Sequence, residues 1–285
     1  MKENKAKKII LVLLAVVCVA VLFYSLYRGL LIYIPQTQEQ HRFNELQQIV
    51  EQKNKEEKSH TQNATEDRRR TGDGGEEESS GEGGEDEKRG EYAGEDNFFK
   101  YEEIETINSD FRGWLRIEDT IIDYPVVKPP ESDPEYYLHR DFDRNYSFSG
   151  TPFIGEGADE NSDAFVIYAH KMKNDTMFGT LDNYADTEWA RQHPYIEFDT
   201  PEGHRVYRVF ASFRTKVGGE NEFQYYRKTG SLSEKEYNAF VKELGDISII
   251  DTNDRPTEKS SSFCFPPAAT IPKTDVLSSR RTGCE

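Results

Sequence analysis

Ala164-Phe-Val-Ile-Tyr-Ala-His-Lys-Met172 is the stretch on which the fold turns. Residues 164–169 form an unbroken apolar run, typical of a strand buried inside a sheet. The run ends on His170, where chain direction must change, and Lys171-Met-Lys-Asn-Asp-Thr-Met-Phe-Gly179 follows as a loop. A histidine placed there is held by a rigid strand and can still face a cleft. Position alone leaves two readings open, a histidine satisfied by its surroundings or a proton-transfer group.

Working outward, Trp114-Leu-Arg-Ile117 and Ile121-Ile-Asp-Tyr-Pro-Val-Val127 read as strands around the turn Glu118-Asp-Thr120. Ser149-Gly-Thr-Pro-Phe-Ile154 is a further short strand candidate. Residues 195–198 and 205–213 read as a hairpin across Thr200-Pro-Glu-Gly203. Phe98, Tyr101, Ile104 and Ile107 have the spacing of a short helix. Ser233-Glu-Lys-Glu236 is a capping box that opens a second helix. Tyr237, Phe240, Val241 and Leu244 line one face of it, with Gly245 placed as its C-terminal cap. Many short strands and few helices make the domain mainly β, in keeping with a small closed β-barrel carrying peripheral helices.

The rest of the chain is unlike this. Lys2, Lys5, Lys7 and Lys8 precede an apolar run from Ile9 to Tyr27, close to the length of a membrane-crossing helix. Tyr24, Tyr27 and Tyr33 fit an interfacial belt, and the basic flank belongs on the cytoplasmic side. The rival is a cleaved signal peptide, whose core would be shorter and would end in small residues. Phe43, Leu46, Ile49 and Val50 recur at helical spacing within a polar stretch rich in Gln, Glu and Lys. Residues 72–78 and 81–87 are Gly- and Glu-rich and bury nothing. The expected organisation is a cytoplasmic segment over 1–8, a transmembrane helix with its interface over 9–34 and a polar stalk over 35–59. A disordered acidic tether over 60–96, a folded domain over 97–259 and an atypical tail over 260–285 complete it. The formal net charge of −17 excludes nucleic acid as a default partner.

The three cysteines are Cys18, Cys264 and Cys284, too few for a disulfide-stapled scaffold. A Cys264–Cys284 bridge is left undecided by sequence. Among the six histidines, His41 and His60 lie in the stalk and tether, His193 precedes a proline and His204 follows a turn glycine. His139, in Tyr136-Tyr-Leu-His-Arg-Asp-Phe142, reads as packing plus surface. There is no metal-ligand spacing, phosphate loop or nucleophile elbow, so no metal or cofactor is expected.

Five motifs in order carry a family resemblance. They are Asn108-x-Asp110-Phe-x-Gly-Trp114-Leu-x-Ile117, then Ile122-Asp-Tyr-Pro-Val-Val127, then Tyr136-Tyr-Leu-x-x-Asp-Phe142, then Gly150-Thr-Pro-Phe-Ile154, and Ile167-Tyr-Ala-His-Lys-Met172 with Met177-Phe-Gly-x-Leu181. Together, over about residues 104–255, they resemble the class B sortases, and the helix at 233–244 is similar to a late helix of that family. The resemblance implies a sortase-type barrel with His170 as the active-site histidine. It also implies a cysteine transpeptidase. A thiolate cleaves a C-terminal sorting signal of a secreted protein, holds it as a thioester and passes it to a cell-wall or pilin amine, while an arginine serves the oxyanion or the substrate. The implied location is the outer face of the plasma membrane, on a single-pass anchor with a cytoplasmic N-terminus.

The end of the chain departs from the family pattern. The expected Thr-Leu-Ser-Thr-Cys strand and Arg-led apolar strand are replaced by 258–285, with Pro266, Pro267 and Pro272 expected to break a central strand. Cys264 lies near the nucleophile position among unmatched neighbours, and Arg280 and Arg281 lead no apolar strand. A reading-frame shift near 259–262 accounts for this. Read one base earlier, the codons for 264–268 permit Leu-Leu-Ser-Thr-Cys, and those for 275–279 permit Gly-Arg-Phe-Val-Val. As written, the chain is expected to lack two closing strands and to be unstable and inactive. The alternative function is a catalytically inactive sortase-like surface-binding module, or a truncated pseudogene product.

Overall fold

The computed structural model describes residues 2–70, 98–215, 223–252, 256, 262–265 and 273–280. The chain divides into two compact units, Met1–Arg42 and Phe43–Glu285. The first is helical from Lys2 onward, the beginning of α1 (Lys2–Arg70). Its large apolar side chains between Leu11 and Tyr27 are exposed. Among the described residues no helix is long and apolar enough to cross a membrane. α1 also runs through 60–70, the start of the expected tether, before a glycine-rich sequence; residues 71–96 lie outside the described residues.

In the second unit, Phe43, Leu46 and Val50 are buried, at the spacing of one helix face. The Phe43 ring meets Tyr124 edge-on at 5.1 Å, and Gln47 Nε2 donates to the Asp123 carbonyl at 2.7 Å. Each such apolar burial contributes about 2 kcal/mol. The folded unit therefore takes in helix residues well before 97.

The chain continues through α2 (Phe98–Ile107), β1 (Phe111–Arg116), β2 (Asp123–Val127), a 3-10 turn (Tyr136–His139), β3 (Phe153–Ile154) and β4 (Ala164–Tyr168). A second 3-10 turn (Gly179–Ala185), α3 (Thr187–Gln192), β5 (Tyr195–Thr200), β6 (Gly203–Thr215), α4 (Glu234–Ile247), β7 (Ser262–Phe265) and β8 (Lys273–Arg280) follow. The strands close into a barrel in the order β1-β2-β3-β4-β7-β8-β6-β5. β4 is flanked by β3, antiparallel, and β7, parallel, which explains its unbroken apolar sequence.

The tail corrects an expectation. Both closing strands are present, β7 along β4 and β8 between β7 and β6. Pro266, Pro267 and Pro272 fall between the two strands and break neither. Ladder hydrogen bonds are made by the main chain, so the unpaired edges of β4 and β6 accept partners of varied side chain.

α4 opens with the expected capping box, Ser233 with Glu236. Its end differs from expectation: the helix passes Gly245 and stops at Ile247, where Ser248 turns extended. The Ile249 amide then donates to the Ser212 carbonyl of β6 at 2.7 Å. Docking onto the barrel, rather than a glycine cap, sets that terminus. Tyr237, Phe240, Val241 and Leu244 pack in one cluster with Phe210, Phe213 and Tyr225.

Candidate active site

The segment after β2 is pinned from beneath. Tyr137 is buried, and its hydroxyl donates to Asp110 Oδ2 at 2.6 Å and accepts from Asn108 Nδ2 at 3.0 Å. The same Asn108 amide donates to the Phe142 carbonyl at 2.8 Å, and the Arg144 guanidinium reaches Asn108 Oδ1 at 2.6 Å and Asp110 Oδ2 at 3.1 Å. Burial, then the bond to Asp110, pushes the Tyr137 hydroxyl up to about 12. Gly150 lets the chain return against this turn at φ +65°. A Cβ there would meet the carbonyl oxygens of Leu138 at 2.5 Å and Tyr137 at 2.6 Å.

The network holds the Leu138 carbonyl toward β4. His170, half-buried two residues past β4, has Nε2 2.8 Å from that oxygen. A carbonyl only accepts, so Nε2 carries the hydrogen, and the neutral ring has its lone pair on Nδ1. His170 can therefore take and return a proton at Nδ1 while Nε2 stays anchored. The following loop folds back on it. The Phe178 amide donates to the His170 carbonyl at 3.1 Å, and Lys171 bridges to Met177. Met177 is buried at φ 54°, with its amide donating to the Tyr124 hydroxyl at 3.2 Å. A buried non-glycine residue in the left-handed region is a strained element held by its surroundings. Lys171 is paired with Asp182.

A second histidine stands beside the first. The His139 ring centroid is 5.1 Å from that of His170, with the planes 32° apart, and Tyr146 lies 6.4 Å from His139, stacked at 24°.

Cys264 lies in β7, with Val166 as its register partner on β4 and Leu277 on β8. His170 is four residues beyond Val166, about 13 Å along a strand. The register does not bring Cys264 and His170 side by side. Cys284 and Arg281 lie outside the described residues, and Arg280 ends β8 opposite Tyr207. Among the described residues no cluster of three or more His, Cys, Asp or Glu could hold a metal.

A scan against protein-family models finds no match. Sortase B of Staphylococcus aureus (strain NCTC 8325 / PS 47) is 28% identical over 163 residues, 56% of this chain and 64% of that protein. Sortase B of Listeria monocytogenes (serovar 1/2a, strain ATCC BAA-679 / EGD-e) is 27% identical over 162 residues, 55% of this chain and 62% of its own length. Over these residues the chain is similar to the class B sortases. It spans a little under two thirds of the length of these curated relatives. A solved Staphylococcus aureus sortase B–substrate complex has the same fold, with a TM-score of 0.64 and 20% identity, over 87% of this chain and 97% of that one.

Sequence reading singled out His170, and did not show that the His139 ring and the Leu138 carbonyl lie beside it. His139 lies in one of the quoted motifs, but only the closed barrel shows that it neighbours a residue 31 positions away (170 − 139). A separate polar cluster lies at Lys128, whose Nζ donates to the carbonyls of Gly155 at 2.5 Å and Ala158 at 2.6 Å. Burial lowers the Lys128 pKa, against the pull of Asp159 and Glu160. Burial raises Glu160, only partly offset by its backbone hydrogen bond and by Arg112 at 4.0 Å.

Proposed function

We propose that this chain is built for the acyl transfer of a cysteine transpeptidase acting on the C-terminal sorting signal of secreted proteins. The observation that carries this is His170, anchored through Nε2 at the end of the central strand of a barrel similar to the class B sortases, with the lone pair of the neutral ring on Nδ1. A thiolate attacks the carbonyl of the signal, the C–N bond breaks, and the leaving amine takes the proton held at Nδ1. An amine from cell-wall peptide or pilin then gives its proton to His170 and displaces the thiolate, closing the new amide. The Staphylococcus aureus relative was solved with a substrate, in line with a peptide-binding cleft.

The apolar run over 9–27 and its basic flank support a single-pass anchor in the plasma membrane, with the domain outside. Substrate and wall amine would both be met there.

The thiol is the point at which a second reading gains weight. Cys264 is four residues short of the level of His170, which favours an inactive, sortase-like surface-binding module or a pseudogene product for the chain as written. The frame-shift reading reconciles the two. The shifted frame puts a cysteine at position 268, as far beyond Cys264 as His170 is beyond Val166. It also puts valine at 278, the register partner of Val209, where this chain has Ser278. Sequencing the last hundred or so bases of the gene on independent DNA is the test. A single-base restoration of Leu-Ser-Thr-Cys and the Arg-led strand supports the transpeptidase. Codons unable to encode that run sink the frame shift and bring the binding-module reading forward.

A further inference from the structure

We propose that His139 is a positioning residue for His170, the two imidazoles acting as a coupled pair in which His139 sets the proton affinity of the catalytic ring. The inference rests on the transpeptidase reading for its meaning and on geometry for its support. The rings are 5.1 Å apart at a 32° tilt. The residue preceding His139 supplies the carbonyl that fixes His170, so one short turn holds both the anchor and the neighbour. Tyr146 stacks with the His139 ring at 6.4 Å, and His139 is exposed.

Two imidazolium cations at this distance repel each other, so protonation of either disfavours protonation of the other. Lys171 is next in the chain to His170 and is paired with Asp182. Arg140 is turned onto its own segment, with its guanidinium 4.5 Å from the Tyr136 ring centroid and bonded to the Arg144 carbonyl. Asp141, raised by burial, accepts from the Asn145 amide within the same turn. The consequence of the repulsion is a catalytic imidazole biased toward the neutral form, the state able to accept a proton from the thiol or the incoming amine.

The test is an NMR pH titration of the full chain carrying 15N-labelled histidine, in the parent and in His139→Phe and His139→Ala. His139→Phe keeps a ring and removes the charge. The expected result is an upward move of the His170 midpoint by about half a pH unit in both variants, the size of a unit-charge repulsion at ~5 Å in a largely aqueous setting. In the parent the two histidines should share inflections. A His170 midpoint unchanged in both variants, or moved only in His139→Ala, overturns the proposal, because the latter reports packing alone. Neither thiol nor substrate enters the measurement, so its failure leaves the transpeptidase reading standing. Conversely, a failure to form thioester leaves the pair standing.

Discussion

The hydrogen bond between His170 Nε2 and the Leu138 carbonyl, 2.8 Å long, ties the end of the central strand to a turn 32 residues earlier in the chain. It connects a network rooted in Asn108 and Asp110 to Nε2 of His170, which puts the lone pair of the neutral ring on Nδ1. The first prediction follows from it. Neutral His170 should be the Nε2–H tautomer, read from 15N chemical shifts above the titration midpoint. Replacing His170 by Ala should leave the fold intact and lower acyl transfer by about 10²–10⁴-fold in a chain that carries an active thiol. A dominant Nδ1–H tautomer would contradict the assignment.

Gly150 is where the turn has no room to spare. Gly150→Ala places a methyl 2.5 Å from the Leu138 carbonyl at a φ of +65°. It should cost about 1–3 kcal/mol in denaturant unfolding and weaken the Nε2 anchor, so the His170 tautomer preference should fall with it. Stability unchanged within a few tenths would show that the turn relaxes freely.

Glu160 supplies a pH dependence. Burial lifts its folded pKa above the ordinary value of 4.5, so the folded chain binds this proton more tightly than the unfolded chain. Its contribution to stability therefore declines as pH rises from 4.5 through the raised folded value. Glu160→Gln should melt higher than the parent at pH 7, and the difference should vanish below pH 4.5. A variant that melts lower at pH 7 would mean that the pairing with Arg112 outweighs the burial.

Much of the barrel was legible because its signals are local. β4 is an apolar run, the 195–215 hairpin alternates around a turn, and Ser233 and Glu236 cap a helix within four residues. β3 is only Phe153–Ile154 of a longer expected strand, since Gly150 turns at positive φ and the Pro152 carbonyl accepts from Val127 instead. β7 and β8 were illegible for a different reason. Their pairing is main-chain hydrogen bonding to edges left by β4 and β6, and residues 262–265 and 273–280 carry little strand pattern of their own. His170 stands out by its place at a strand end, but only the family resemblance marks it as the active-site histidine. His139 could not be singled out, because its role is a distance, and distances between segments are made by the closed sheet.

The most direct measurement is mass spectrometry of thioester trapping. The chain as written and the chain with the restored frame would each be incubated with a peptide bearing a sorting signal and then quenched. The account predicts a peptide adduct on the restored-frame chain, lost when His170 is replaced, and none on Cys264 of the present chain. An adduct on Cys264 would show that a thiol whose register partner is Val166 can reach the reaction, and would contradict the placement of the chemistry beside His170.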